Sequence, residues 1–118
     1  MLPFVGYQEF CKYRITEENS IIDCLNQAVS ENSTVYIFNG NYMTDEAWEV
    51  PDIDNLHFIG VDDVILDFKI RPRAYAYNET IQQNWIWENI IFNKEVTLSV
   101  LSLSGDTNYQ RKAKILNC

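Results

Sequence analysis

A short phrase recurs along this chain. It reads "DNLHFIGVDD" at residues 54–63, "ENIIFNKE" at 88–95 and "KAKILNC" at 112–118. Each version sets an Asn beside a short apolar run. Tyr36 to His57 spans 21 positions, Ile91 to Leu116 spans 25, and His57 to Ile91 spans 34. The long gap shortens to about one unit of 22 to 24 residues if part of 69–83 is an insertion. A period in the low twenties, built from short strands and tight turns, predicts strands that stack on copies of themselves.

The rest of the chain supplies the pieces for such a stack. Residues 20–31, "SIIDCLNQAVSE", place Ile21, Leu25, Ala28 and Val29 on one face of a helix, with Ile22 at its margin. Ser20 followed by Asp23 matches an N-terminal capping pair. The run Val35–Phe38 is β-forming, and Asn39-Gly40-Asn41 predicts a turn because Gly and Asn tolerate positive φ. A brief extended piece follows at "WEVPD", ended by Pro51. Further strands are predicted at "NLHFIG", "DVILDF", "NWIWENIIF", "VTLSVLSL" and "KAKILNC". Turns at Gly60–Asp63, Asn93-Lys94 and Ser104–Asp106 separate them. Residues 69–83, which contain Pro72, read as a loop bulging from the body. The first 15 residues fit either a helical turn or an edge strand.

These residues resemble the right-handed parallel β-helix, or pectin-lyase-like, family over about residues 16–118 without the loop. "SIIDCLNQAV…STVYIFNGNY" is similar to the family's opening, a helix that plugs the first coil followed by a strand ending in Gly and Tyr. "LHFIGVDDVILDF", "WIWENIIFNKE" and "AKILNC" resemble later coils. Asn39 stands where the family often has Pro. The resemblance implies an all-β chain: a short right-handed parallel β-helix of three to four coils with an N-terminal capping helix. Residues 1–118 would be one domain, with the cap at 16–34 and coils over 35–118. Phe58, Phe92, Ile37, Ile90 and Ile115 would form interior columns, and Asn55, Asn89 and Asn117 amide rungs at the turns. The final strand, reaching Ile115 and Leu116, would present an open apolar edge for another copy or another chain.

Charge narrows the partners. The formal net charge is -8. Residues 1–68 hold 13 acids against Lys12 and Arg14, a balance of -11; residues 69–118 hold 4 acids against 7 bases, a balance of +3. An acidic surface repels phosphate backbones, which argues against direct nucleic-acid binding. The uneven halves suit either an ordinary solvated surface or head-to-tail contact between copies. Cys11, Cys24 and Cys118 give an odd count without CxxC spacing, which favours reduced thiols over a disulfide framework or a zinc site. There is no basic, apolar leader and no run long enough to span a membrane, so the expected location is the cytoplasm.

Three groups of residues are candidates for chemistry. Tyr75, Tyr77, Trp85 and Trp87 lie in or near the loop, beside Arg71 and Arg73. Aromatic rings with Arg are the composition of protein-binding hot spots, and also stack on sugars; the plainer reading packs the loop on the body. Asp62, Asp63 and Asp67, within a wider set of Asp45, Glu46, Glu49, Asp52 and Asp54, could ligate calcium or act as paired acids; the plainer reading is solvated turn acids. His57, the only histidine, alternates with Leu56 and Phe58 and should face outward. No triad, P-loop or dinucleotide motif occurs, and no cofactor is expected. The expected function is a non-enzymatic protein-interaction or assembly module. The alternative is the N-terminal piece of a carbohydrate-active lyase or glycosidase, with calcium bridging acid to acid.

Overall fold

A computed structural model of the chain describes residues 3–7, 12–51, 53, 55–72, 81–96 and 109–117. The elements are β1 (Phe4–Gly6), β2 (Tyr13–Arg14), α1 (Ile21–Glu31), β3 (Thr34–Met43), β4 (Trp48–Val50), β5 (Asn55–Asp67), β6 (Ile70–Pro72), β7 (Ile81–Glu88), β8 (Ile91–Phe92) and β9 (Tyr109–Leu116). The chain is mainly strand with little helix, an all-β composition.

Helix α1 forms where its local sequence says it should. The Ser20 hydroxyl accepts from the Asp23 N–H at 3.3 Å, and the Asp23 carboxylate accepts from the Ser20 N–H at 3.3 Å. This reciprocal box satisfies two donors that a helix start leaves orphaned. Ile21, Ile22, Cys24, Leu25, Ala28 and Val29 are buried along one stripe. Asn32 ends the helix in extended backbone, φ -139°, with both its N–H and its side-chain amide donating to the Ala28 carbonyl.

All pairings between the described strands are parallel, and they are joined without a helix after α1. The main sheet has the order β2-β1-β3-β5-β7-β9, with β8 also pairing β5; β4 and β6 form a separate two-stranded sheet. Register gives the spacing directly. Thr34 pairs with His57, an offset of 57 − 34 = 23. Asn55 pairs with Asn84, an offset of 84 − 55 = 29, and Ile81 pairs with Tyr109, an offset of 109 − 81 = 28. Trp48 pairs with Ile70, an offset of 22, and Ile70 bridges Val96, an offset of 26.

Several expected turns are tighter than their composition predicts. β3 runs through Asn39-Gly40-Asn41 with only a register shift between Phe38 and Gly40, and Gly40 is not in the left-handed region. Its value is space: a Cβ there would sit 3.0 Å from the Tyr42 ring, which is buried while its hydroxyl donates to the Phe38 carbonyl at 2.6 Å. β5 likewise runs unbroken through the expected turn at Gly60–Asp63. Its inside–outside alternation resets at Asp62 and Asp63, two exposed residues in succession, with Asp62 left-handed at φ 63°. Asn89 at φ 56° divides "NWIWENIIF" into β7 and β8, and Asn117 at φ 53° follows β9. Asn and Asp adopt this conformation more readily than other non-glycine residues, so one residue suffices for each corner. The expected loop at 69–83 also shrinks, because Ile70 and Pro72 point inward beneath Trp48 and Val50, and β7 starts at Ile81. Residues 73–80 and most of "VTLSVLSL" lie outside the described residues.

The core consists of residues that face one another across these parallel pairs. Val35, Phe58 and Trp87 occupy one inward register and are fully buried; Tyr42, Leu66 and Phe92 occupy another. Phe58 and Trp87 stack at 4.2 Å with an interplanar angle of 15°, and Trp48 meets both edge-on at 5.6 and 6.4 Å. Like-on-like stacking of large rings exceeds simple area burial by about 0.5–1.5 kcal/mol per pair. Of the expected interior residues, Ile37, Phe58 and Ile90 are fully buried, Phe92 is half-buried, and Ile115 is exposed.

Candidate functional site

The aromatic patch expected around the loop does not assemble. Trp85 and Trp87 face inward with 2% and 0% exposure, so they serve the core and not a partner-binding surface. The physical reason is register. β7 places Trp85 against Leu56 and Trp87 against Phe58, both inward positions of β5. The Trp85 indole N–H donates to the Ile53 carbonyl at 2.9 Å, which satisfies its polar atom inside. Arg71 lies in β6, opposite Glu49 of β4, and pairs with it at 3.0 Å. Both side chains are about half exposed, so the pair contributes little stability. Arg73, Tyr75 and Tyr77 lie outside the described residues.

The acids are distributed along edges and corners. Asp45, Glu46, Glu49, Asp62 and Asp63 are exposed, while Asp52 and Asp54 lie outside the described residues. Asp62 and Asp63 line an open groove of about 330 Å³ with Gly60, Val64, Asn89, Ile91 and Asn117. Asp67 is engaged elsewhere, by Lys94 at 3.6 Å and the Asn93 amide at 3.1 Å. Among the described residues, no three His, Cys, Asp or Glu side chains gather to hold a metal ion. Gly60 is the tight point of this corner: a Cβ there would lie 2.1 Å from the Asn89 carbonyl oxygen. His57 faces outward as expected, half-buried, with Nε2 4.0 Å from the Glu88 carboxylate.

The amide rungs fall on a different set of residues. Asn84 donates to the Asn55 side chain at 3.3 Å, while Asn89 and Asn117 hold corners and the Asn89 N–H donates to the Leu116 carbonyl at 3.0 Å. The signal was present in the sequence. "NLHF" matches "NWIW" one for one, Asn to Asn and inward to inward, better than it matches "NIIF".

What remains at the surface are the two ends of the main sheet. At the β2 end, α1 covers β1, β2 and β3. Its C-terminal turn is tied down by Glu31, which accepts from Lys12 at 2.6 Å and from the Tyr13 hydroxyl. The Lys12 ammonium and then the Tyr13 hydroxyl hold the Glu31 carboxyl below its ordinary value. Burial first, then Glu31, pushes the Tyr13 phenol up. Glu17, Glu18 and Asp23 are exposed at this end. At the β9 end, no described strand pairs the outer edge of β9. Ile115 and Leu116 are each 43% exposed, and Arg111, Lys112 and Lys114 fall on the same strand. Neither a protein-family model, nor a characterised protein, nor a solved structure matches this chain.

Proposed function

We propose that the chain is a short right-handed parallel β-helix of three to four coils, closed at its first coil by α1, and that it is a non-enzymatic protein-interaction or assembly module working through its β9 end. The near-constant parallel offsets of 23, 29 and 28 residues along the main sheet support the β-helix. So does the separate row formed by β4, β6 and the Val96 bridge, a second face repeating in step with the first. The observation that carries the interaction reading is the exposed apolar pair Ile115 and Leu116 on a strand whose outer edge has no described partner. Exposed apolar side chains beside unpaired backbone donors and acceptors invite strand addition or docking. A cytoplasmic home fits the buried free thiol of Cys24, which burial pushes up to about 11 and keeps protonated. The carbohydrate-active alternative needs acids gathered on one face, and no observation here favours it.

Light scattering over a concentration series tests the reading. The expected mass rises above the 13.8 kDa of one chain, and the Ile115→Lys/Leu116→Lys double variant returns it to one chain. A single-chain mass at every concentration in both proteins contradicts assembly through this end.

A further inference from the structure

The two ends of the main sheet carry opposite charge, and this assigns the occupant of the β9 end within the interaction reading, on which the inference rests. We propose that copies of this chain join head to tail, the basic β9 end of one seated on the acidic cap end of the next.

At the β9 end, Arg111, Lys112 and Lys114 occupy three of the eight positions of the strand, which contains no acid. Lys114 is exposed beside the exposed Ile115 and Leu116. At the opposite end of the sheet order, the approach to α1 and its first turn expose Glu17, Glu18 and Asp23. The bases nearest that end do not cancel them, because Lys12 is already paired with Glu31 at 2.6 Å, leaving the exposed Arg14. Charge asymmetry between the halves of the sequence, -11 against +3, is thus expressed at the ends of the fold.

Geometry argues against the symmetric alternative. Two β9 strands paired edge to edge would bring Arg111, Lys112 and Lys114 of both copies into one cross-strand array, and like charges directly opposite are destabilising. Lys on an edge strand commonly prevents that pairing. The same bases attract an acidic surface, and the acidic surface at hand belongs to the far end of an identical chain. Such a contact is heterologous and does not close on itself, so it produces a ladder of masses and not a fixed dimer. It is also screened by salt.

Charge reversal tests this on the full chain. The Lys112→Glu/Lys114→Glu variant has two acidic ends, and Glu17→Lys/Glu18→Lys has two basic ends. Each alone is expected to need about tenfold or more higher concentration than wild type to associate. An equimolar mixture restores association, because each variant now offers what the other lacks. Circular dichroism confirms folding; if the β9 variant unfolds, the cap variant, altered only at exposed positions, decides the matter through its own loss of association and its salt response. Association that ignores both reversals and salt, or a closed two-chain species, overturns the head-to-tail contact while leaving the interaction reading standing. A wild-type chain that stays single at every concentration removes both.

Discussion

The two ends of the main sheet solve the same problem differently. At the β2 end, the inward apolar residues are sealed by α1, whose Leu25 and Ala28 are fully buried and whose last turn is tied to β2 through Glu31, Tyr13 and Asn32. At the β9 end the inward register continues from Val35, Phe58 and Trp87 to Ile115, and there the burial falls away. A parallel array buries each strand against the next, so its interior is dry except at the terminal positions. The closed end is held by its own chain. The open end leaves apolar and basic groups for something else to meet.

Equal truncations at the two ends make the contrast measurable. Leu25→Ala should cost about 2–5 kcal/mol in urea unfolding, since it opens a cavity under the cap. Ile115→Ala should cost less than about 1 kcal/mol in dilute protein, because its side chain already meets solvent. Similar losses at the two sites would erase the distinction. Between the ends, Gly60→Ala should cost about 1–3 kcal/mol or more, because the added methyl meets the Asn89 carbonyl oxygen at 2.1 Å and the corner must move. If that variant melts like wild type, the corner is not packed as described. Ser20→Ala should cost about 1 kcal/mol by unmaking the capping box, with the loss read in thermal melts.

The smallest effect is pH-dependent and belongs to the cap alone. Glu31 is held below its usual 4.5 by the hydrogen bond from Lys12 and then that from Tyr13. A depressed carboxyl stabilises the fold fully above its unfolded value and loses that contribution as the pH falls through the folded value. Lys12 is raised from 10.5 by Glu31, so its share is intact below that and lost as the pH rises through its folded value. Both groups are exposed, so the contribution is small. Glu31→Gln should therefore melt slightly below wild type at pH 7, and the gap should close on acidification below about 4.5. A gap that widens with acid would contradict the assignment.

How much of this was legible depended on how local each feature is. The helix, its Ser20–Asp23 box and its buried stripe were readable because all the interacting groups lie within one turn or two. The β-rich character and the outward His57 followed from alternation. The register was not readable from the echo alone. "ENIIF" was matched to "DNLHF", whereas the fold pairs Asn55 with Asn84 and sets Ile91 and Phe92 against Ile65 and Leu66. That difference decides the fate of Trp85 and Trp87: in the folded register they lie opposite Leu56 and Phe58, and no surface patch survives. The corners were hidden because one left-handed Asp or Asn does the work assigned to a longer turn. β6 was hidden because three residues ending in Pro72 look like a loop until β4 is laid beside them. Ile115 and Leu116, by contrast, were placed at an exposed edge from the sequence, and both are exposed.

Amide hydrogen exchange at two protein concentrations tests the contrast between the ends most directly. In dilute solution the account predicts slow exchange through β3 and β5 and faster exchange at alternate β9 amides, those directed away from β7. Raising the concentration should slow those β9 amides and the amides of Glu17–Asp23 together, and leave β5 unchanged. A β9 strand as protected in dilute solution as β5, or ends that ignore concentration, would contradict it.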